Sequence, residues 1–570
     1  MKLVKDNLKY LFLIFLTSIL TVIDLFINVG RSANGDGLIH TVVPALFAKA
    51  ILQGNFPVGW TDGFANYGLP LGTVSQQLTT YLTAFISIIF HNPVTGFNAV
   101  VFLGVLLSSI FFYFFLRIYF LPLYSFAGAF LFNFSPYRIL NIYVRGALPE
   151  FFAGVFFPLL LISAYLIIQK KNINGLILFI ISISLLTLAH PFMLVTSMFL
   201  LVPYVLFLLL NKLRSFKILT KSLFLYGALF LGATIFGILI ASYYIFPLFF
   251  EIKYFYYGQT TNHLTPGNFL GFSNFFFYNY PYFTKLDIFD RGFWINIGFI
   301  ESVLFINGIF YFLFRLAKGK VKKFSIFDFA IISGTILIFM MTSYSSFLYS
   351  HISFLSNIQF PWRMLSAFIF IPPIILTYFL SKLDKKILIG IVIFIICLLA
   401  FPQLYGKNYT QYSNDFYRFT SRNLDAVAMN TIWTTRSEDY PIKSQQWEII
   451  EGQGKILNSN ISDSSRAYQV FAQTQIRMLD HTFYFPGWKA YVDGNPVVIE
   501  FQSLNHRGII TYLVPKGKHA VVLKYTDTKV RLLGKIFTIF FLVFFIIAFA
   551  IRNKLKSLSI IITRLLENKI

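Results

Sequence analysis

Asp36 and His40 stand four residues apart in "NGDGLIHTVVP" (34–44), just past the first long apolar run of the chain. A carboxylate that takes a proton, beside an imidazole that orients it or contacts an anion, is the core of an acid–base site. On a helix, positions i and i+4 share a face. The same residues have a purely structural reading. Asp is a favoured N-cap, and Leu38, Ile39, Val42, Val43, Leu46 and Ile51 suit an amphipathic helix over about 37–52, lying along a membrane surface. Both readings stand at this point.

Other chemistry-bearing residues occur in short stretches between apolar runs. "GNFPVGWTDGFANYGLPLG" (54–72) brings Trp60 and Tyr67 into a Gly- and Pro-rich bend, where rings would stack on a sugar or form an interfacial belt. "SPYRILNIYVRGALPEF" (135–151) carries Arg138, Arg145 and Glu150, "LAHPF" (189–193) carries His190, and "QFPWRML" (359–365) carries Arg363. An arginine at the end of a span either snorkels to the headgroup layer or grips a phosphate with both arms of its guanidinium. Three of them at the outer edges of different spans fit a phosphate-bearing lipid. No phosphate-cradling Gly loop, metal-ligand motif or Ser nucleophile elbow is present. No metal ligands are assigned, and any cofactor, a divalent cation included, stays open.

The elements that must position these residues are membrane helices. Of 570 residues 57% are hydrophobic and only 12% charged, which excludes an ordinary soluble domain. The net charge of +24 reflects basic loops rather than a nucleic-acid surface. The lone Cys397 rules out an intrachain disulfide. Apolar runs at 8–29, 94–116, 119–134, 148–168, 174–190, 192–210, 222–249, 294–314, 326–343, 363–381, 386–402 and 530–551 predict about twelve transmembrane helices. The stretch 75–91 reads as interfacial or re-entrant. With the basic N-terminus inside as a retained signal anchor, alternation places 169–172, 211–221, 315–324, 381–386 and 552–556 on one, cytoplasmic, side. Both termini are then cytoplasmic, and 30–93, 251–293 and 403–529 face outward. The expected organisation is an all-α membrane module over 1–402, a β-sandwich-like extracytoplasmic domain over 403–529, and a last helix with a basic tail over 530–570. Asp493-Gly494 marks a hairpin turn within the β domain.

"GDGLIH", "NFPVGW", "YGLPLG", "YRILNIYVRGALPEF", "LAHPF" and "QFPWR" resemble, in this order, the bacterial membrane proteins labelled 6-pyruvoyl-tetrahydropterin-synthase-related. No pterin chemistry is legible in them. "FYFPGWKAYVDGNPVVI" and "VPKGKHAVVLKY" resemble the closing β domain of YfhO-like proteins, and both groups are similar to the GT-C superfamily of polytopic glycosyltransferases. The resemblance implies a GT-C-like fold in a bacterial plasma membrane. It also implies a polyprenyl-phosphate-linked sugar as donor and a cell-envelope glycan as acceptor on the outer face, with membrane lipids and no nucleic acid as partners. Asp36 would be the general base of an inverting transfer, with His40 orienting it or touching the phosphate. Arg138, Arg145 and Arg363, with Glu150, His190, Trp60 and Tyr67, would hold the substrates. A paired Asp-Glu found in the first loop of some relatives is missing here. The alternatives from other classes are a non-catalytic transporter or flippase, or an assembly protein, for lipid-linked saccharides.

Overall fold

The computed structural model describes residues 2–32, 34–63, 67–212, 216–259, 268–271, 295–321, 323–413, 416–417, 430–435, 440–441 and 444–551. Most of the expected outer loop 251–293 and the basic tail 552–570 lie outside these residues.

Eight helices among the described residues are long and apolar enough to cross a membrane: Pro93–Leu116, Leu148–Ile168, Pro191–Lys212, Leu219–Ile240, Phe299–Ala317, Pro361–Leu383, Lys386–Gln403 and Lys529–Ala550. The remaining four expected runs are also helical but shorter or more charged. Lys2–Val22 carries Lys5, Asp6 and Lys9 in its first turns, Pro122–Asn133 starts at a proline, and Ile173–Ala189 stops at the His190-Pro191 step. Ile326–Met341 bends by 81° into Ser343–His351 and makes a ninth span if the pair is counted as one. Ile39–Leu52 and Gln77–Phe90 are 14-residue apolar helices beside the first span.

Few polar groups set the register of this greasy bundle. Asn7 accepts from Tyr113 (2.5 Å) and from the Arg117 Nε (2.9 Å), while Asn98 donates to the Leu25 carbonyl (2.6 Å). These bonds lock the first helix antiparallel to Pro93–Leu116 at both ends. Asp24 accepts from the Gly406 amide (2.6 Å) and the Tyr409 hydroxyl (2.7 Å), tying the first span to the chain after Lys386–Ala400. Between such pins the core is aromatic, with Phe112, Phe132 and Phe370 ring to ring at 4.6–5.1 Å.

The C-terminal segment forms eight strands: β1 (Trp447–Glu451), β2 (Gly454–Ile461), β3 (Ser465–Ala472), β4 (Ile476–Phe483), β5 (Trp488–Val492), β6 (Asn495–Val497), β7 (Ile509–Val514) and β8 (Gly517–Tyr525). They make a three-stranded antiparallel sheet, β1-β4-β7, and a five-stranded one, β2-β3-β8-β5-β6. The alternation legible in the sequence turns Tyr468, Val470, Met478, Ile510, Tyr512, Val521 and Leu523 into one shared core. Asp493 and Gly494, at φ 49° and 83°, form the two-residue turn joining β5 to β6, as the Asp-Gly pair requires.

This domain is bolted to the first loop. Trp60 packs against Trp488 and Tyr525 at 5.2 and 5.3 Å, and Tyr67 lies against Phe483 at 5.0 Å and donates to the Pro441 carbonyl. Lys49 bridges Asp62 of the loop (2.7 Å) and Asp463 before β3 (3.2 Å). On the membrane side, Arg531 of the last helix grips Glu251 (2.8 and 2.9 Å), which also accepts from Thr528 (2.6 Å).

Two outcomes follow. With Cys397 replaced by Ser, a cysteine in place of exposed Ser459 labels with an impermeant maleimide in intact cells, and one in place of exposed Lys318 labels only after lysis; the opposite pattern inverts the topology. The second concerns the bolt. Burial, with the Asp62 carboxylate beside it and Lys49 opposing, pushes Asp463 up to about 7. A carboxyl that binds its proton more readily in the folded chain stabilises the fold at low pH, and that contribution is lost as pH rises through about 7. Thermal melts of the purified protein between about pH 5 and 8 should therefore show a downward slope that Asp463→Asn flattens.

Candidate functional site

Glu150, in the first turn of Leu148–Ile168, is the centre of the site. Only 3% of it is exposed, and its carboxylate accepts five hydrogen bonds. Arg145 donates through both terminal nitrogens (3.0 Å each), Arg363 through Nε (3.1 Å), Tyr137 through its hydroxyl (2.5 Å) and Ser366 through its hydroxyl (3.0 Å). An ion so far from water is tolerated only when its charge is matched and its lone pairs are filled. Asn141 steadies Arg145 (2.6 Å), whose guanidinium lies 4.6 Å from the Trp362 ring. Arg363 also donates to the Ile358 carbonyl (2.8 Å) and covers the Phe360 ring at 4.8 Å. Two guanidiniums against one carboxylate leave one unit of positive charge.

The local backbone explains how these side chains meet. Residues Asn141–Arg145 form a single π-helical turn, a wound-wide segment that frequently accompanies functional sites. It ends at Gly146 in the left-handed region (φ 64°), where a Cβ would lie 2.6 Å from the Gly37 amide nitrogen and 2.7 Å from Asn34 Oδ1. Glycine is required there because the first loop docks on it. The Gly35 and Asp36 amides donate to the Val144 and Arg145 carbonyls.

That docking brings Asp36 to the arginine cluster. Its side chain is exposed and makes no hydrogen bond or ion pair to a described residue, while its charge is felt by both His40 and Arg145. The N-cap reading is corrected: the helix starts at Ile39 after Leu38, and no side chain caps it. His40 is half-buried one turn on. Burial draws its imidazole down to about 4, against the pull of Asp36 and with Arg145 adding to the fall. His190 is buried at the helix break, within electrostatic reach of Arg363, Glu150 and His40, and its Nδ1 has no hydrogen-bond partner among the described residues. Six of the sequence-predicted residues thus converge: Asp36, His40, Arg145, Glu150, His190 and Arg363.

Three do not. Arg138 points away into the bundle, where it donates to Ser108 (2.9 Å) and lies between the Phe132 and Phe151 rings at 4.1 and 5.0 Å. It takes no part in the Glu150 network, because its position on the helix Pro136–Leu140 faces Pro93–Leu116. Trp60 and Tyr67, expected to stack on a sugar, are 1% and 0% exposed. The β domain covers their faces, so they are packing residues. Tyr137, Asn141, Trp362 and Ser366 escaped the sequence reading. Tyr137, Asn141 and Arg145 do recur every four residues, a usable sign of one helical face. Among the described residues no group of three or more His, Cys, Asp or Glu is placed to hold a metal ion.

A family model described as a 6-pyruvoyl-tetrahydropterin synthase related domain of membrane proteins matches residues 77–407, more than half of the chain. The chain belongs to that family. Arg138, Arg145, Glu150, His190 and Arg363 lie inside the family segment; Asp36, His40, Trp60, Tyr67 and the β strands lie outside it. No curated protein matches the chain. A solved oligosaccharyltransferase of Archaeoglobus fulgidus, in complex with zinc and sulfate, is similar over 70% of this chain at 13% identity and a TM-score of 0.33. This chain spans about half (54%) of that enzyme's length. A likeness of that size carries no chemistry across, which has to come from the residues of this site.

The network yields a stability prediction. Glu150→Gln leaves two buried guanidiniums facing a neutral amide, so the purified protein should lose on the order of 3–5 kcal/mol, read as a large drop in thermal midpoint. An unchanged midpoint would mean that the pair of arginines is solvated.

Proposed function

We propose that this protein is a membrane glycosyltransferase that moves a sugar from a polyprenyl-phosphate-linked donor to a cell-envelope acceptor, with inversion. The observation that carries the reading is a free, exposed carboxylate, Asp36, held by backbone bonds beside a buried cluster with positive charge to spare. The acceptor hydroxyl attacks the anomeric carbon, the bond from that carbon to the phosphate oxygen breaks, and the proton goes to Asp36. Polyprenyl phosphate leaves, and its growing charge is opposed by Arg145 and Arg363. His40, kept neutral by burial, orients the base. The order of motifs resembling GT-C proteins supports the same assignment.

The reading carries an architecture with it: about twelve spans, eleven in a GT-C-like module over 1–402 and one in 530–570, with a sandwich-like domain over 403–529 on the outer face of a bacterial plasma membrane. Basic loops and both termini are cytoplasmic. A non-catalytic carrier is the second reading. Arg145 already commits both terminal nitrogens to Glu150, so in either reading a phosphate meets a guanidinium with few donors left. A carrier would need the arginines but not the Asp36 proton acceptor.

Asp36→Asn separates the two. Because the Asp36 side chain makes no bond to a described residue, the variant should melt with the wild type. A purified protein supplied with a polyprenyl-phosphate hexose donor and an envelope fraction as acceptor should lose transfer by about 10²–10⁴-fold. His40→Ala should lose less. An active, stable Asn variant would overturn the catalytic role of Asp36.

A further inference from the structure

A second concavity lies at the opposite end of the bundle, remote from the Glu150 cluster. Five helix ends converge on it: the start of Pro122–Asn133, the ends of Leu148–Ile168, Pro191–Lys212 and Pro361–Leu383, and the start of Ile326–Met341. The cavity measures about 590 Å³ and is walled by Tyr119, Tyr165, Phe207, Tyr378, Lys323 and Lys382, among others. That volume is within the range of small-molecule sites, roughly 300–1,000 Å³.

Its charge is one-sided. Lys323 and Lys382 line the cavity, both are exposed, and neither pairs with a described carboxylate. Lys382 stands 5.7 Å from the Tyr378 ring and Lys170 stands 5.8 Å from the Tyr165 ring, which adds a further cation at the rim. The two nearby carboxylates are already engaged. Asp384 accepts from the Tyr124 hydroxyl, while Asp328 pairs with Arg315 (2.7 Å) and closes a capping box with Ser325. The box takes up the Ser325 and Asp328 amides of that helix start. Tyr165 adds a hydroxyl with no hydrogen bond to a described residue.

The walls are braced rather than collapsed. Gln169 donates to the Leu208 carbonyl (3.1 Å) and Asn211 to the Phe324 carbonyl (2.8 Å), holding three helix ends apart. At the mouth, Leu121 and Phe324 remain 65% and 37% exposed. An occupant therefore has an anionic head for the lysines and an apolar body for the mouth, and helix ends lie at the depth of lipid headgroups.

We propose that this cavity binds the phosphate diester headgroup of an anionic membrane lipid, with Lys323, Lys382 and the Tyr165 hydroxyl holding the phosphate. The site is independent of the glycosyl-transfer reading and stands if that reading fails.

The test is native mass spectrometry on the full-length protein in detergent with added phosphatidylglycerol. The wild type should retain the lipid, and Lys323→Gln/Lys382→Gln should retain about tenfold less, since a lysine near an anionic surface contributes on the order of a three- to fivefold factor. Tyr165→Phe, which removes one hydroxyl and little packing, should fall in between. Lys318→Gln/Lys320→Gln, from the same basic loop but outside the cavity, should behave as wild type. Equal retention by the wild type and the Lys323/Lys382 variant would overturn the proposal, as would equal losses in the two double variants. Displacement of the lipid by sn-glycerol 1-phosphate at equal concentration would overturn the lipid assignment in favour of a soluble ester.

Discussion

A carboxylate buried in an apolar bundle is a liability unless every lone pair is matched, and Glu150 is matched by groups from two separate stretches. Tyr137 and Arg145 precede its helix, while Arg363 and Ser366 begin another more than two hundred residues later. The arrangement fixes the angle between those helices more sharply than greasy contacts do, because removing one partner strands a charge. It also fixes the backbone of the π-helical turn, and through the carbonyls of Val144 and Arg145 it fixes the loop that carries Asp36. The position of Asp36 on the surface is thus set by an ion cluster underneath it.

The rest of the bundle follows the same economy of polar groups. In a chain so rich in phenylalanine, apolar faces alone leave helices free to slide, since one ring packs against another almost as well a turn away. Asn7, Asp24, Asn98 and Asn133 remove that freedom with single bonds between spans. The β domain is fastened in a different way, by a mixed patch of tryptophans and one lysine between two aspartates. The clasp of the β domain sits near water, whereas the Glu150 cluster within the bundle is tolerated only because its charge and lone pairs are matched.

Much of the helical architecture was legible in the sequence, because length and hydropathy decide where a long apolar helix forms. The β strands and the Asp493-Gly494 turn were readable for an equally local reason. Arg138, Arg145 and Arg363 were expected to form a phosphate grip, but Arg138 lies elsewhere and the pairing of the other two with Glu150 was not legible, since spacing along the chain says nothing about which charges meet across it. Trp60 and Tyr67 misled because an aromatic, Gly-rich bend has the same composition whether it faces a ligand or a partner domain. Asp463, four hundred residues from Lys49, carries no local sign of its role.

The covering of Trp60 by β5 and β8 has a consequence for the order in which the protein is made. The bend at 54–72 emerges early, yet the surface that shields it comes from residues near 488 and 525. At about 5–20 residues per second, the ribosome needs on the order of half a minute or more to bridge that gap. Throughout it the indole of Trp60 and the ring of Tyr67 lack their ring partners Trp488, Tyr525 and Phe483. During biogenesis this bend must therefore rest against the bilayer surface or an insertion factor, and the last strands to be synthesised are the ones that release it.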